Sequence, residues 1–334
     1  DMDANDVMAW QYVFDSTNGD HWTYDYSSGT VDGIAWNFTS PDEVNPCMSD
    51  WAGVGCNEEC TDDSDDVCHV ITLDLTNYGL IGTITSEYML LTELKELYLD
   101  ENTLYSSIPS TLASLQSLEF LSLFGNALSG VLPDNIDIMT ALVSLDVSDN
   151  RLNGTISESL CQLSNGNLTA LSLSYNQLSG ELPGCLFSVN STLKVLHLGS
   201  NELHGSIITP GSGETGASLN SRLQQLDLSD NYLTGQMPVQ LVSWTDLKYL
   251  NMSYNYLDGR MVLSAELSEL LVYDISFNNI GGTLSTDLVN MHSLYELILS
   301  QNYFSGTLPS ENGTEGSYLF YLLDFSYNML EGNG

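Results

Sequence analysis

The sequence predicts an α/β solenoid: a stack of similar copies, each giving one short strand to a parallel β-sheet on the concave side. Three observations predict it. One frame, Leu-x-Leu-x-x-Asn-x-Leu-x-Gly-x-Ile/Leu, often closed by Pro, recurs from about Ile71 to the C-terminus. Its asparagines fall at Asn102, Asn126, Asn150, Asn176, Asn201, Asn231, Asn255, Asn278, Asn302 and Asn328, with Tyr78 in the equivalent place of the first copy, so about eleven copies follow one another at spacings of 23 to 30 residues. A sustained period of this length is the signature of a repeat architecture. Within a copy, as in Leu226-Asp-Leu228, two leucines flank a polar residue, the alternation of a strand with one buried face.

The rest of each copy follows from the same reasoning. Asn231 turns the chain, and its amide can satisfy backbone groups of neighbouring copies that have no ladder partner. Leu233 points inward, Gly235 allows a close backbone turn that a side chain would obstruct, and Pro238 fits an irregular segment with no donor to lose. No copy can bury its leucines alone, so stacking creates the core and both ends need covering. Residues 1–70 lack the frame and are read as an N-terminal, disulfide-stapled capping domain; residues 71–334 are the solenoid. Between Asp3 and Phe14, apolar residues at Val7, Met8, Trp10, Val13 and Phe14 suit a short amphipathic helix. The chain stops partway through a copy at Gly334 without a cysteine-bearing cap. The expectation is that more sequence follows, in which further repeats, a membrane helix or a stalk would lie.

Composition narrows the class. Asp and Glu number 44 against 6 Lys and Arg, a net charge of −38, which repels phosphate backbones and anionic lipid and excludes nucleic-acid binding. The hydrophobic fraction of 43% suffices for a continuous core. No stretch reaches the roughly 18 to 20 apolar residues of a membrane helix, so no membrane insertion is expected within this chain. Six clustered cysteines, Cys47, Cys56, Cys60, Cys68, Cys161 and Cys185, read as disulfides of an oxidising compartment. Six sequons, at Asn37, Asn153, Asn167, Asn190, Asn251 and Asn312, read as glycosylation sites of a chain in the secretory pathway, at the cell surface or extracellular.

The tail Leu-x-Gly-x-Ile-Pro, seen in Gly130-Val-Leu-Pro133, Gly180-Glu-Leu-Pro183, Gly235-Gln-Met-Pro238 and Gly306-Thr-Leu-Pro309, resembles the plant-specific class of leucine-rich repeats. The resemblance implies a right-handed superhelix with a second short strand beside the main one. Pro46-Cys-Met-Ser-Asp-Trp-Ala-Gly-Val-Gly-Cys56 resembles the cap signature of plant receptor-kinase ectodomains and polygalacturonase-inhibiting proteins, with two residues more between Cys47 and Trp51. Thr17-Asn-Gly-Asp-His-Trp22 resembles the caps of leucine-rich-repeat proteins outside plants. The first four cysteines allow three connectivities, of which Cys47–Cys56 with Cys60–Cys68 is the expected one. Cys161 and Cys185, one period apart, suit a staple between adjacent copies.

Binding sites on a solenoid lie on residues that the strand pattern turns outward. In the copies from residue 170 onward these are rich in aromatics: Tyr175, Tyr232, Tyr249, Tyr254, Tyr256, Phe277, Tyr303 and Tyr327. The earlier copies offer mainly Tyr98, Phe120 and Phe124. Such a strip is either a ligand surface or a set of cross-copy stacks that stiffens the array. An acidic column, Asp74, Asp146, Asp227, Asp274 and Asp324, lies between the paired leucines and reads as a solvent-facing choice, with a surface for basic ligands or a line of metal ions as the alternatives. A glycan on Asn251, in that column, would obstruct the concave face. The loop containing Asp62, Asp63, Asp65 and Asp66 lacks the spacing of a calcium site, and Pro210–Gly216 reads as an insertion on the edge.

Neither a catalytic constellation nor a metal or cofactor site is expected. His21, His69, His197, His204 and His292 show no ligand spacing, and no cysteine is left over as a nucleophile. The functional expectation, carried by the resemblance, is the ligand-recognition ectodomain of a cell-surface receptor or receptor-like protein, with a protein, peptide or glycan as partner. A secreted inhibitor of a cell-wall hydrolase and an adhesive matrix protein are the alternatives.

Overall fold

The computed structural model describes residues 4–23, 35–38, 45–47, 51–57, 60, 67–188, 190–207, 222–309 and 321–331. The sequon at Asn312, the acidic loop at Asp62–Asp66 and the insertion Pro210–Gly216 lie outside them. The chain divides into two compact units, Asp1–Asn153 and Gly154–Gly334.

The first unit opens with a helix, Ala4–Ser16, whose buried face is Asp6, Ala9, Trp10 and Val13. Met8 does not join that face. It is 55% exposed, because helical spacing from Trp10 and Val13 places Asp6 and Ala9, not Met8, inward. The cap core is aromatic. Trp36 meets Trp10 edge-on at 5.0 Å and Trp22 at 4.7 Å, stacks on Trp51 at 5.2 Å, and donates its indole N–H to Ala52 O at 2.9 Å. Val54–Cys56 pairs antiparallel with Val70–Asp74; parallel strands Glu96–Tyr98, Phe120–Ser122 and Ser144–Asp146 follow in register, aligning Leu73, Leu97, Leu121 and Leu145. These four leucines are buried, each worth about 1.5 to 3 kcal/mol of transfer free energy. Gly82 is forced by the cap: its φ is +155°, and a Cβ there would lie 1.8 Å from Ser16 O.

The second unit repeats the scheme. Strands Ala170–Ser172, Val195–His197, Gln225–Asp227, Tyr249–Asn251, Val272–Asp274, Glu296–Ile298 and Leu322–Asp324 are parallel neighbours in sequence order. Tyr273 replaces leucine in the inward column and stays fully buried because its hydroxyl donates to Val262 O at 3.0 Å. Each unit also has the second short ladder: Ile81–Gly82, Thr103–Ser106, Ala127–Gly130 and the start of Arg151–Thr155 in the first, and Gln177–Gly180, Glu202–Ser206, Tyr232–Gln236 and Tyr256–Asp258 in the second. A separate ladder, Gly281–Thr283, Tyr303–Gly306 and Met329–Leu330, completes the second unit.

Behind the strands run 3-10 turns such as Ser110–Ser114, Asp134–Ile138, Gly184–Phe187 and Val239–Ser243, each preceded by a proline at φ between −56° and −69°. That φ is the one proline supplies, and the position needs no N–H donor. Gly235 sits at φ +78°, whereas a Cβ there would meet Ser206 only at 3.5 Å. At Gly235 backbone conformation, not crowding, is what requires glycine.

The repeated asparagine holds adjacent copies together. The Asn231 carbonyl oxygen accepts from Leu203 N at 3.0 Å, while its amide nitrogen donates to Leu198 O of the preceding copy at 3.1 Å and to Leu228 O and Ser229 O of its own. Asn102, Asn255, Asn278 and Asn302 do the same, and all are buried. The cysteines pair as Cys47–Cys56, Cys60–Cys68 and Cys161–Cys185.

Candidate functional site

The residue immediately before each repeated asparagine adopts left-handed backbone. In the second unit these residues are Tyr175, Ser200, Asp230, Tyr254, Phe277, Gln301 and Tyr327, with φ between 52° and 58°. The conformation lets the chain reverse after the main strand while each N–H still reaches the next copy, as Tyr254 N does to Ser276 O at 3.0 Å and Phe277 N to Ser300 O at 2.9 Å. Left-handed backbone favours Gly, Asn and Asp and is costly for bulky side chains. Four aromatics in this column are therefore not selected by the turn itself.

The predicted strip resolves into three columns. Tyr175, Tyr254, Phe277 and Tyr327 occupy the left-handed position; Tyr232, Tyr256 and Tyr303 follow the asparagine and open the second short strand; Tyr249 lies on the main strand. All but Tyr249 are exposed. Tyr254 and Phe277 stack with centroids 4.0 Å apart, and Tyr232 and Tyr256 run nearly parallel at 6.2 Å. Together these four line a groove of about 280 Å³, whose other walls are Asn201, Asp230, Asn231 and Asn255. Tyr175, Tyr249, Tyr303 and Tyr327 do not line it.

The adjoining main-strand face is anionic. Asp227 and Asp274 each accept from the backbone and hydroxyl of the serine two residues on, at 2.9 and 2.6 Å. Burial lifts the Asp274 carboxyl above its ordinary value against those bonds, with Asp227 and Asp324 adding to the rise. At Asp324 the bonds from Ser326 dominate and hold the carboxyl below its ordinary value. Burial, then Asp227, raises the Tyr249 phenol, whose oxygen accepts from the Asn251 amide at 3.3 Å. Asn251 itself takes the Asp place, accepting from Ser253 N and Oγ at 3.0 and 2.7 Å. The sequon asparagines Asn37, Asn153, Asn167 and Asn190 are exposed. Among the described residues the one metal-compatible group is Cys47, Cys56 and Cys60, and all three sulfurs are in disulfides.

Two leucine-rich-repeat family models match the chain, one over residues 92–152 and the other over 167–189 and 222–244. Receptor-like protein 35 of Arabidopsis thaliana is 33% identical over 100 residues, which are 30% of this chain and 10% of that protein. A chain of the PEPR1–AtPEP1 crystal structure superposes with a TM-score of 0.80 at 27% identity, over 97% of this chain and 42% of that one. The chain therefore has the leucine-rich-repeat fold. The Arabidopsis receptor kinase HAESA ectodomain, solved with an N-terminally extended IDA peptide hormone, superposes with a TM-score of 0.72 at 26% identity, over 91% of this chain and 52% of that one. This leucine-rich-repeat chain thus matches a tenth of its curated relative and about half or less of these structures.

Sequence reasoning missed two features of the repeat surface. Asp230 and Asn201 belong to the groove, and the signal for Asp230 was available, since it shares the pre-asparagine position with Tyr254. Tyr295 and Tyr321, just ahead of the main strand, stack at 4.8 Å and 4°. No helix among the described residues is long and apolar enough to cross a membrane.

Proposed function

We propose that this chain is the non-catalytic, extracellular ligand-recognition part of a receptor or receptor-like protein, and that the aromatic groove of the second unit is its recognition surface for a peptide or protein partner. One observation carries the reading: four aromatic side chains from three successive copies line one groove, two of them from backbone that disfavours bulky residues. Exposed tyrosine and phenylalanine give large contact area at small entropy cost. The likeness to a receptor kinase ectodomain solved with a peptide hormone supports it.

The test is capture of secreted and cell-surface proteins by the tagged chain, with calcium and with chelator, beside a Tyr254→Ser, Phe277→Ser double variant. A partner held in both conditions and lost by the double variant is the expected result. Capture that needs calcium, or self-association alone, overturns the reading in favour of an adhesive matrix protein.

A further inference from the structure

We infer that the groove receives a basic side chain, arginine foremost, from its partner. The inference rests on the groove being the recognition surface. Its first support is the inventory of uncommitted groups. The amides of Asn201, Asn231 and Asn255 are spent on the ladder: each oxygen accepts a backbone N–H and each nitrogen donates to three carbonyls. What the walls still offer is the Asp230 carboxylate, the phenol groups and aromatic faces, and the negative charge of each ring lies on its face.

The second support is the order of the left-handed column. Phe277 covers one face of Tyr254 at 4.0 Å. Phe277 leaves the other face uncovered, and Tyr254 lines the groove together with Asp230 of the preceding copy. A planar cation between that face and that carboxylate meets a cation–π contact and an ion pair together, the combination to which guanidinium is best fitted. A volume of about 280 Å³ suits one side chain. The net charge of −38 favours a cationic partner and rejects an anionic one.

The test is titration with the tripeptide acetyl-Gly-Arg-Gly-amide and its citrulline counterpart, which keeps the shape and lacks the charge. Salt at about 0.15 M screens the general field. Binding is followed by NMR on the whole chain and on Asp230→Asn, Tyr254→Gly and Asp149→Asn. Tyr254→Gly suits the left-handed backbone, and Asp149→Asn removes a charge from the same column far from the groove in sequence. The expected result is binding of the arginine peptide over citrulline, weakened about three- to thirty-fold by Tyr254→Gly and also by Asp230→Asn, and unchanged by Asp149→Asn. Equal binding of the two peptides, no measurable binding of either, indifference to Tyr254→Gly, or an equal loss in Asp149→Asn overturns it. A protein partner that needs Tyr254 while the two tripeptides bind alike sinks this inference and leaves the proposed function standing. Arginine selectivity with no Tyr254-dependent partner does the reverse.

Discussion

Tyr254 and Phe277 stack face to face, centroids 4.0 Å apart and planes 11° from parallel, although both project from left-handed backbone. A stacked pair contributes about 0.5 to 1.5 kcal/mol, whereas each bulky residue in that backbone region costs about 1 to 3 kcal/mol. The stack alone does not offset the strain, so the surrounding ladder holds these residues in place.

Replacing Tyr254 by Gly therefore sets a lost stack and a freer unfolded chain against released strain. The expected change in unfolding free energy is within about 1 kcal/mol, measured by thermal unfolding. A loss above about 3 kcal/mol would identify the pair as a stiffening element of the stack rather than a surface held for recognition.

Asn231→Leu acts on the ladder instead. It removes the acceptor of Leu203 N and the donor to Leu198 O, Leu228 O and Ser229 O, all in a buried setting. Unsatisfied buried groups cost about 1 to 3 kcal/mol each, so a loss of at least about 3 kcal/mol is expected in chemical denaturation. An unchanged midpoint would show that the asparagine is not what joins the copies.

Asp274 predicts a pH effect. Its folded-state carboxyl is raised, chiefly by burial and further by Asp227 and Asp324. A raised acid binds its proton more tightly when folded, so stability falls as pH rises from the ordinary carboxylate value through the folded one. Asp274→Asn keeps an acceptor for Ser276, as Asn251 does for Ser253 in the preceding copy. The variant should unfold at a higher temperature than the parent at pH 7, with the gain gone below the ordinary carboxylate range. A gain of equal size at both pH values would show that charge is not its cause.

Much of the fold was legible because each copy states it locally. The leucine alternation around Asp227, the asparagine at 231 and the glycine at 235 repeat often enough to set strand and turn, the resemblance to plant-class repeats implied the second strand, and the positions buried in each unit follow that period. Met8 was misread because several apolar residues in one turn do not say which side faces the cap. The steric reason first given for Gly235 was incomplete, since only the backbone shows that its positive φ is the requirement. The Asp-x-Ser bond at Asp227 and Asp274 was likewise hidden, since composition alone reads such residues as solvated.

The sequence by itself determined the repeat, its inward leucines, the asparagine ladder and the negative field, all carried by residue types that recur along the chain. The tertiary structure decided which outward aromatics act together. It set Tyr254 on Phe277, placed Tyr232 beside Tyr256, brought Asp230 into the same groove and left Tyr249 on the sheet. The physical reason is that a surface site on a solenoid is assembled across copies. Its members come from copies about 20 to 30 residues apart in sequence, and the inter-copy register and left-handed turns that bring their side chains together exist only once the copies have stacked.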